Sequence, residues 1–207
     1  MGFSTLIDVL GSTLVGGMLL LILFRINDAT VENNYMYGGE LIIQENLVEI
    51  VELIEHDFRK IGFCENYVAL PKEQFILHAD SNSIKFSTDI DSDGIVDSIH
   101  YYIGPTSELK GTPNPRDRFL YRVVNDKPPV GTNLGLTEFK LAYYNTLGHK
   151  LSFPINYLTE IQSIEINIKI EDVYGYDTKN DEKQNTDKYA SAFWKQIKLS
   201  SRNITKK

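Results

Sequence analysis

The residues best suited to chemistry in this chain lie in one acidic stretch, residues 89–97, which reads DIDSDGIVD. In it Asp89, Asp91 and Asp93 alternate with other residues and are followed by Gly94 and Asp97. Carboxylate and carbonyl oxygens are the hard ligands that Ca²⁺ takes in proteins, and a glycine permits the sharp turn of a calcium loop. The stretch therefore predicts a structural calcium site formed by Asp89, Asp91, Asp93, Asp97 and the carbonyl group of Ile95.

A simpler interpretation of the same stretch stays open. Asp-Gly is among the commonest signals for a tight β-hairpin turn, and the neighbouring acids would then be solvated. The twelfth position of the loop is His100, where an EF-hand has a bidentate glutamate, and strands rather than helices are predicted on both sides. The sequence argues against an EF-hand and predicts a hairpin that calcium would staple.

Residues typical of catalytic sites are scattered along the chain. The histidines His56, His78, His100 and His149 form no H-E-x-x-H or H-x-H motif, and one cysteine, Cys64, leaves no thiol pair for zinc. Nucleophile-elbow, P-loop and dinucleotide-binding motifs are also missing from the sequence. We therefore expect a protein that is not an enzyme, with Cys64 as a small buried apolar residue.

The start of the chain is apolar. Residues 3–24 carry a single acid, Asp8, and are followed by Arg25. About 22 residues are enough to span a bilayer. A cleaved secretory signal has basic residues before its apolar region, and here no basic residue precedes it. We predict a retained membrane helix. A carboxylate in such a helix costs roughly 2.5 to 3.5 kcal/mol and persists with a partner or a function, unless it is hydrated among the lipid headgroups.

The helix is predicted to continue beyond the membrane. Residues 29–61 contain no proline, and apolar residues recur there at three- and four-residue spacing. They are Leu47, Ile50, Val51, Ile54, Phe58 and Ile61. Gly38-Gly39 is the predicted weak point of this rod and Gly62 its C-cap. We predict an N-terminal transmembrane and assembly helix over residues 1–28, its amphipathic continuation over 29–62, and a β-rich soluble domain over 63–207.

The soluble domain is predicted to be a β-meander. Strands are predicted over residues 83–88, 98–103, 119–124, 138–144, 161–170 and 193–199, where β-branched and aromatic residues recur at period two. In 161–170 isoleucines alternate with Glu165, Asn167 and Lys169, which predicts one buried face, packed on the amphipathic helix, and one solvated face. The fold class is α+β, a long N-terminal membrane-anchored helix packed on an antiparallel sheet.

Two polar stretches are predicted to be surface loops, residues 104–118 and 172–188. In the first, Arg116, Asp117 and Arg118 are predicted to form an ion-pair cluster. An apolar fraction of 42% and an aromatic fraction of 11% favour a folded domain. The net charge of −7, with no basic stripe, argues against nucleic acid as a partner.

The N-terminal sequence resembles the type IV pilin-like superfamily, which includes pilus subunits and the minor pseudopilins of type II secretion. Gly2 and Phe3 resemble the residues on either side of the prepilin cleavage site, and Asp8 resembles the acid that follows the apolar tetrapeptide. Counted from Phe3, Asp8 stands sixth rather than fifth, and it is aspartate rather than glutamate. The run from Asp57 to Phe63 resembles the end of the long helix in larger minor pilins, and the likeness continues weakly to Ser201-Arg202-Asn203.

The resemblance implies a function in assembly. Prepilin peptidase would cut between Gly2 and Phe3, and Asp8 would pair with the free amine of a neighbouring pilin-like subunit inside a filament. The protein would be a minor component in the inner (cytoplasmic) membrane, in contact with lipid, with its C-terminal domain outside the cytoplasm. The alternative that stays open is a single-pass anchored, extracytoplasmic binding module that does not polymerise.

Overall fold

The computed structural model describes residues 2–69, 75–173, 189 and 191–199. The chain divides into two compact units, Met1–Leu41 and Ile42–Lys207. Ser201-Arg202-Asn203 and most of the predicted loop over residues 172–188 lie outside the described residues.

The first unit consists of the N-terminal part of one helix, α1 (Gly2–Arg59). Its most apolar window has a mean hydropathy of 2.2, and no residue of that window is buried. By length and composition the helix can cross a membrane, as predicted. The backbone stays helical through Gly38 and Gly39, the predicted weak point.

The second unit begins with the remainder of α1, which ends at Arg59. Gly62 follows in the left-handed region, at φ +68°, and its N–H donates to the Ser87 carbonyl over 2.9 Å. A Cβ atom at this position would lie 2.8 Å from the ring of Phe75. The turn after the helix therefore requires glycine, because both the backbone angle and the packing exclude a side chain.

A five-stranded antiparallel sheet follows, with the strands in chain order from edge to edge. The strands are β1 (Ile76–Ala79), β2 (Ser83–Thr88), β3 (Asp97–Ile103), β4 (Leu120–Val124) and β5 (Val130–Thr132). Across the sheet Ile84 is paired with Tyr101, and Phe86 with Ile99, so these four fully buried side chains share one face.

The second sheet is antiparallel and three-stranded, with β7 (Ser163–Glu171) between β6 (Leu136–Tyr144) and β8 (Ser191–Leu199). All four isoleucines of β7 are buried, as their alternation predicts. They face Phe139 and Leu141 of β6 through the pairs Phe139 with Ile168 and Leu141 with Ile166.

One hydrophobic core joins both sheets to the end of α1. From the helix it receives Ile50, Ile54 and Phe58, and from the turn after the helix Ile61, all buried, with Leu47 and Val51 packed partly against it. The Phe58 ring meets Phe86 edge-on, with ring centroids 5.4 Å apart. Each fully buried side chain of this size contributes roughly 1.5 to 3 kcal/mol. The predicted α+β class and the packing of the amphipathic stripe are confirmed.

Several predictions about the β-region are wrong in detail. The single meander is two sheets, and the short strands β1 and β5 were not predicted. The polar face of β7 is only partly solvated. Asn167 and Lys169 are half-buried, and Glu165 is buried and accepts a hydrogen bond from the Tyr144 hydroxyl at 2.5 Å. Residues 104–118 do not lie wholly on the surface, since Asn114 and Asp117 are buried.

Candidate metal centre, buried carboxylates and membrane helix

The acidic stretch forms the loop that connects β2 to β3. The last residue of β2, Thr88, pairs with Asp97, the first residue of β3, so the antiparallel register brings the two ends of the loop together. Ser92 and Gly94 both have positive φ, 61° and 83°, which turns the chain back on itself. Strand pairing and two left-handed residues thus place the acids around one point.

Asp89 is the buried centre of the loop, with none of its surface exposed. Its Oδ2 accepts hydrogen bonds from the backbone N–H groups of Glu65 at 3.1 Å and Gly94 at 3.0 Å, and its Oδ1 accepts one from Asp93 at 3.2 Å. These donors come from the loop itself and from the segment after α1. Asp89 therefore connects the loop to the segment that follows α1.

The same contacts decide the ionisation of Asp89. Burial taken alone would raise the pKa of Asp89, but the backbone N–H groups that point at its carboxylate outweigh burial. The pKa of Asp89 lies below its usual value, and the side chain is a carboxylate at neutral pH.

Three of the predicted calcium ligands converge. Oxygen atoms of Asp89, Asp91 and Asp97 all lie within 4.8 Å of one another. Because Ca²⁺ takes oxygen ligands at about 2.3 to 2.6 Å, two oxygens that share one ion lie at most about 5 Å apart. The three carboxylates have the spacing that such an ion requires. Asp97 is oriented by the Ile90 N–H, which donates to its Oδ2 over 3.0 Å, and by the Asn125 amide, which donates to its Oδ1.

The two other predicted ligands have different surroundings. The Asp93 Oδ1 accepts the Ile95 N–H over 2.8 Å, and Asp93 is not among the three converging carboxylates. The Ile95 side chain is exposed. The roles of Asp93 and of the Ile95 carbonyl stay predictions.

A second buried carboxylate, Asp57, was not predicted as a site residue. Its Oδ2 accepts hydrogen bonds from the Tyr101 hydroxyl at 2.6 Å and from the Arg122 Nε at 2.7 Å. Burial and the neighbouring Asp57 raise the pKa of Tyr101, so its hydroxyl keeps its proton. The signal was present in the sequence, because Asp57 interrupts the apolar stripe between Ile54 and Phe58.

A third buried carboxylate lies in the predicted ion-pair cluster, and the prediction of its pairing is wrong. Arg116 pairs with Glu171 instead, with its Nε 2.8 Å from the Glu171 Oε2. Asp117 is 1% exposed, and neither of its carboxylate oxygens accepts a hydrogen bond within the described part of the chain. Burial raises the pKa of Asp117 to about 6; the Thr112 side chain and the Arg116 charge lower it by less, and the Glu171 charge adds to the rise.

The predicted processing and assembly residues lie at the start of α1. Gly2 and Phe3 are helical, and the Phe3 side chain is exposed. Asp8 is exposed in the same helix, with no ion pair to another described residue. The prediction for Cys64 is confirmed, because Cys64 is a buried free thiol.

These features define an α+β protein whose single N-terminal helix is long and apolar enough to anchor it in a membrane. Comparison of the chain with protein-family models, characterised proteins and solved structures returns no match.

Proposed function

We propose that this chain is a non-catalytic, membrane-anchored subunit that assembles through its N-terminal helix into a filament like a type IV pilus or a type II secretion pseudopilus. One observation supports the proposal above the others. A single helix, Gly2–Arg59, is apolar and exposed near its start, over residues 3–24, and towards its end it becomes amphipathic and packs on a β-region. This architecture is compatible with that of pilin-like proteins. We propose that the chain is a minor component of such a filament and is anchored in a bacterial inner membrane.

The proposed mechanism follows from the exposed helix surface. Exposed side chains such as Leu14, Leu21 and Phe24 require either lipid or other apolar helices around them. A Cβ atom added at Gly11, Gly16 or Gly17 would contact nothing within 4 Å, so the helix surface is open to another backbone at each of these positions. Small residues at such positions let helices approach closely in membranes and in filament cores.

Asp8 would set the register of assembly. An unpaired carboxylate among apolar helices is costly, and pairing it with the free amine of a neighbouring subunit offsets that cost. The amine would be created when prepilin peptidase cuts between Gly2 and Phe3. Both steps depend on the N-terminal resemblance.

The experiment that tests the proposal has two parts. Mass spectrometry of the protein from its native membrane is expected to find a mature chain that begins at Phe3. Asp8→Ala is expected to abolish co-assembly with the other subunits, measured by crosslinking, while the matched control Asp28→Ala, which removes another exposed acid of α1, leaves it intact. A mature chain that retains Met1, together with assembly unaffected by Asp8→Ala, would contradict the proposal and favour the anchored binding module.

We also propose calcium as a structural cofactor of the loop between β2 and β3. Asp89, Asp91 and Asp97 would hold the ion, which would neutralise three carboxylates whose oxygens lie within 4.8 Å of one another. Its effect would be to stabilise the β-region rather than to take part in a reaction.

A further inference from the structure

An open groove of about 840 Å³ lies between the end of α1, the acidic loop and the edge of the five-stranded sheet. Three aliphatic side chains from three different elements line it, namely Leu53 of α1, Ile95 of the loop and Val130 of β5. They are 44%, 66% and 68% exposed, respectively. Val124 and Pro128 add further apolar surface. Exposed apolar residues that converge on one concavity are typical of a binding site.

The groove exists because α1 covers only part of the sheet. Phe58 packs on Phe86 of β2 and on Tyr101 of β3. Val130 pairs with Arg122, whose side chain reaches Asp57 on the helix, so Val130 lies on the same face of the sheet as the helix. On the part of this face formed by β4 and β5, the side chains of Val124 and Val130 therefore line the open groove.

The edge of the sheet is also open at this point. Within the described residues β5 pairs with β4 alone, and all three residues of β5 are exposed. The Phe119 carbonyl accepts the N–H of Gly104, next to β3, so Phe119 and Tyr121 direct their backbone groups towards β3. Because alternate residues face opposite neighbours, Arg122 bonds with its partner Val130. The N–H and C=O groups of Gly131 then point away from β4. Backbone groups with this orientation at a sheet edge can form hydrogen bonds with an added strand.

The charges on the groove are unevenly distributed. Asp91 and Asp93 line it on the loop side, and no described cation forms an ion pair with either of them. Asp97 is a third acid in the lining. Of the two lining cations, Arg122 is already paired with the buried Asp57, and the other is Lys127. The rim is therefore acidic where the loop borders it, and it favours a cationic partner.

We propose that this groove binds an extended segment of a partner protein, in which β-branched residues are flanked by basic residues, as an additional strand along β5. The backbone of Gly131 would supply the hydrogen bonds, and the groove formed by Leu53, Ile95 and Val130 would bury the β-branched side chains. Asp93, which is not one of the three converging carboxylates, would pair with a basic side chain. The partner segment is thus defined by shape, apolar character and charge together.

The test uses the full chain in lipid nanodiscs, with EDTA present so that no divalent cation competes for the loop. The probe is a fluorescent peptide of alternating valine and threonine with two lysines at each end, and binding is measured by fluorescence anisotropy. Two matched peptides serve as controls, one with glutamates in place of the lysines and one with alternate backbone nitrogens methylated. Val130→Lys and Leu53→Lys are the groove variants, and Leu147→Lys places the same charge on another exposed apolar residue, outside the groove.

We expect the lysine peptide to bind, and each groove variant to weaken its binding about tenfold or more, while Leu147→Lys leaves it unchanged. Asp93→Asn should weaken binding by a smaller factor, and neither control peptide should bind comparably. Equal binding of the glutamate peptide, full binding by the methylated peptide, or unchanged binding in Val130→Lys would each overturn the proposal. Failure of the lysine peptide to bind would also overturn it. If the chain then self-associates, and Val130→Lys abolishes the self-association, the groove binds a second copy of this chain instead.

Discussion

Asp89 and Asp117 are both buried aspartates in the β-region, yet their environments have opposite effects. Asp89 is fully buried and accepts three backbone N–H groups, and its pKa lies below the usual value. Asp117 is 1% exposed, accepts no hydrogen bond from a described residue, and has its pKa raised to about 6. Burial is thus the same in both cases, and the supply of donors decides the ionisation.

The difference originates in the local backbone. The loop after β2 turns around Asp89, so that successive N–H groups of the turn point inwards at its carboxylate. Asp117 instead lies just before β4, where the next N–H, that of Arg118, donates to the Leu136 carbonyl. The N–H of Asp117 itself donates to the Asn114 carbonyl, so the backbone donors next to this carboxylate have other acceptors. A buried carboxylate is stabilising only where the fold directs donors at it.

The largest expected effect is that of Asp89→Ala. Removing the carboxylate would leave the N–H groups of Glu65, Asp93 and Gly94 without their acceptor in a buried loop. Of all the variants considered, Asp89→Ala should lower the melting temperature most. The fluorescence of Trp194 measures the melting temperature. Asp93→Ala, which removes an exposed acid of the same loop, is the matched control, and an equal effect of the two variants would contradict the central position of Asp89.

Asp57 provides an intermediate case, a buried carboxylate whose partners are side chains. Asp57→Ala leaves the buried Tyr101 hydroxyl and the Arg122 guanidinium without their acceptor and should lower the free energy of unfolding by about 3 kcal/mol. Tyr101→Phe removes one hydrogen bond and should cost only about 1 kcal/mol. Chemical denaturation of both variants measures these values, and a smaller loss for Asp57→Ala than for Tyr101→Phe would show that the network does not depend on Asp57.

Calcium should act on the loop around Asp89 and not on the surroundings of Asp117. If the ion binds between Asp89, Asp91 and Asp97, calcium at about one hundred times its dissociation constant should stabilise the chain by about 2.7 kcal/mol. Asp91→Asn should abolish that gain, because it removes one of the three converging carboxylates and keeps the size of the side chain. Melting curves that coincide with calcium and with EDTA would reject the site.

The smallest expected effect has the opposite sign. Because the pKa of Asp117 is raised from 3.8 to about 6, the folded state binds more protons than the unfolded state between these values, and stability is lost as the pH rises through this window. The amide introduced by Asp117→Asn does not titrate, so this variant should be more stable than the parent by on the order of 1 kcal/mol at pH 7.5. The two melting temperatures should converge near pH 4, and a variant less stable than its parent at pH 7.5 would show that the ionised carboxylate has a partner.

Local patterns predicted most of the elements correctly. The three- and four-residue spacing from Leu47 to Ile61 identifies the buried side of the helix, and the alternation in β7 identifies its buried isoleucines. The short strands β1 and β5 were missed because each has only three or four residues, too few to show a period. Their existence depends on pairing with β2 and β4, which no sequence signal marks as their neighbours.

The charged residues show where prediction from sequence fails. Arg116 and Asp117 are adjacent in sequence and of opposite charge, yet Arg116 pairs with Glu171, which lies 55 residues away. Adjacent residues near a strand point in different directions, so sequence proximity does not make an ion pair. Only the packing of the two sheets brings Glu171 to Arg116.

The sequence by itself determined the apolar helix, its amphipathic continuation, the acidic loop and the α+β class, because periodicity and composition are local properties. The tertiary structure decided which three acids converge, which buried carboxylate receives donors and which does not, and where the helix leaves the sheet edge at β5 uncovered. These outcomes depend on strand register and sheet packing, which place residues far apart in the chain within a few ångströms of one another.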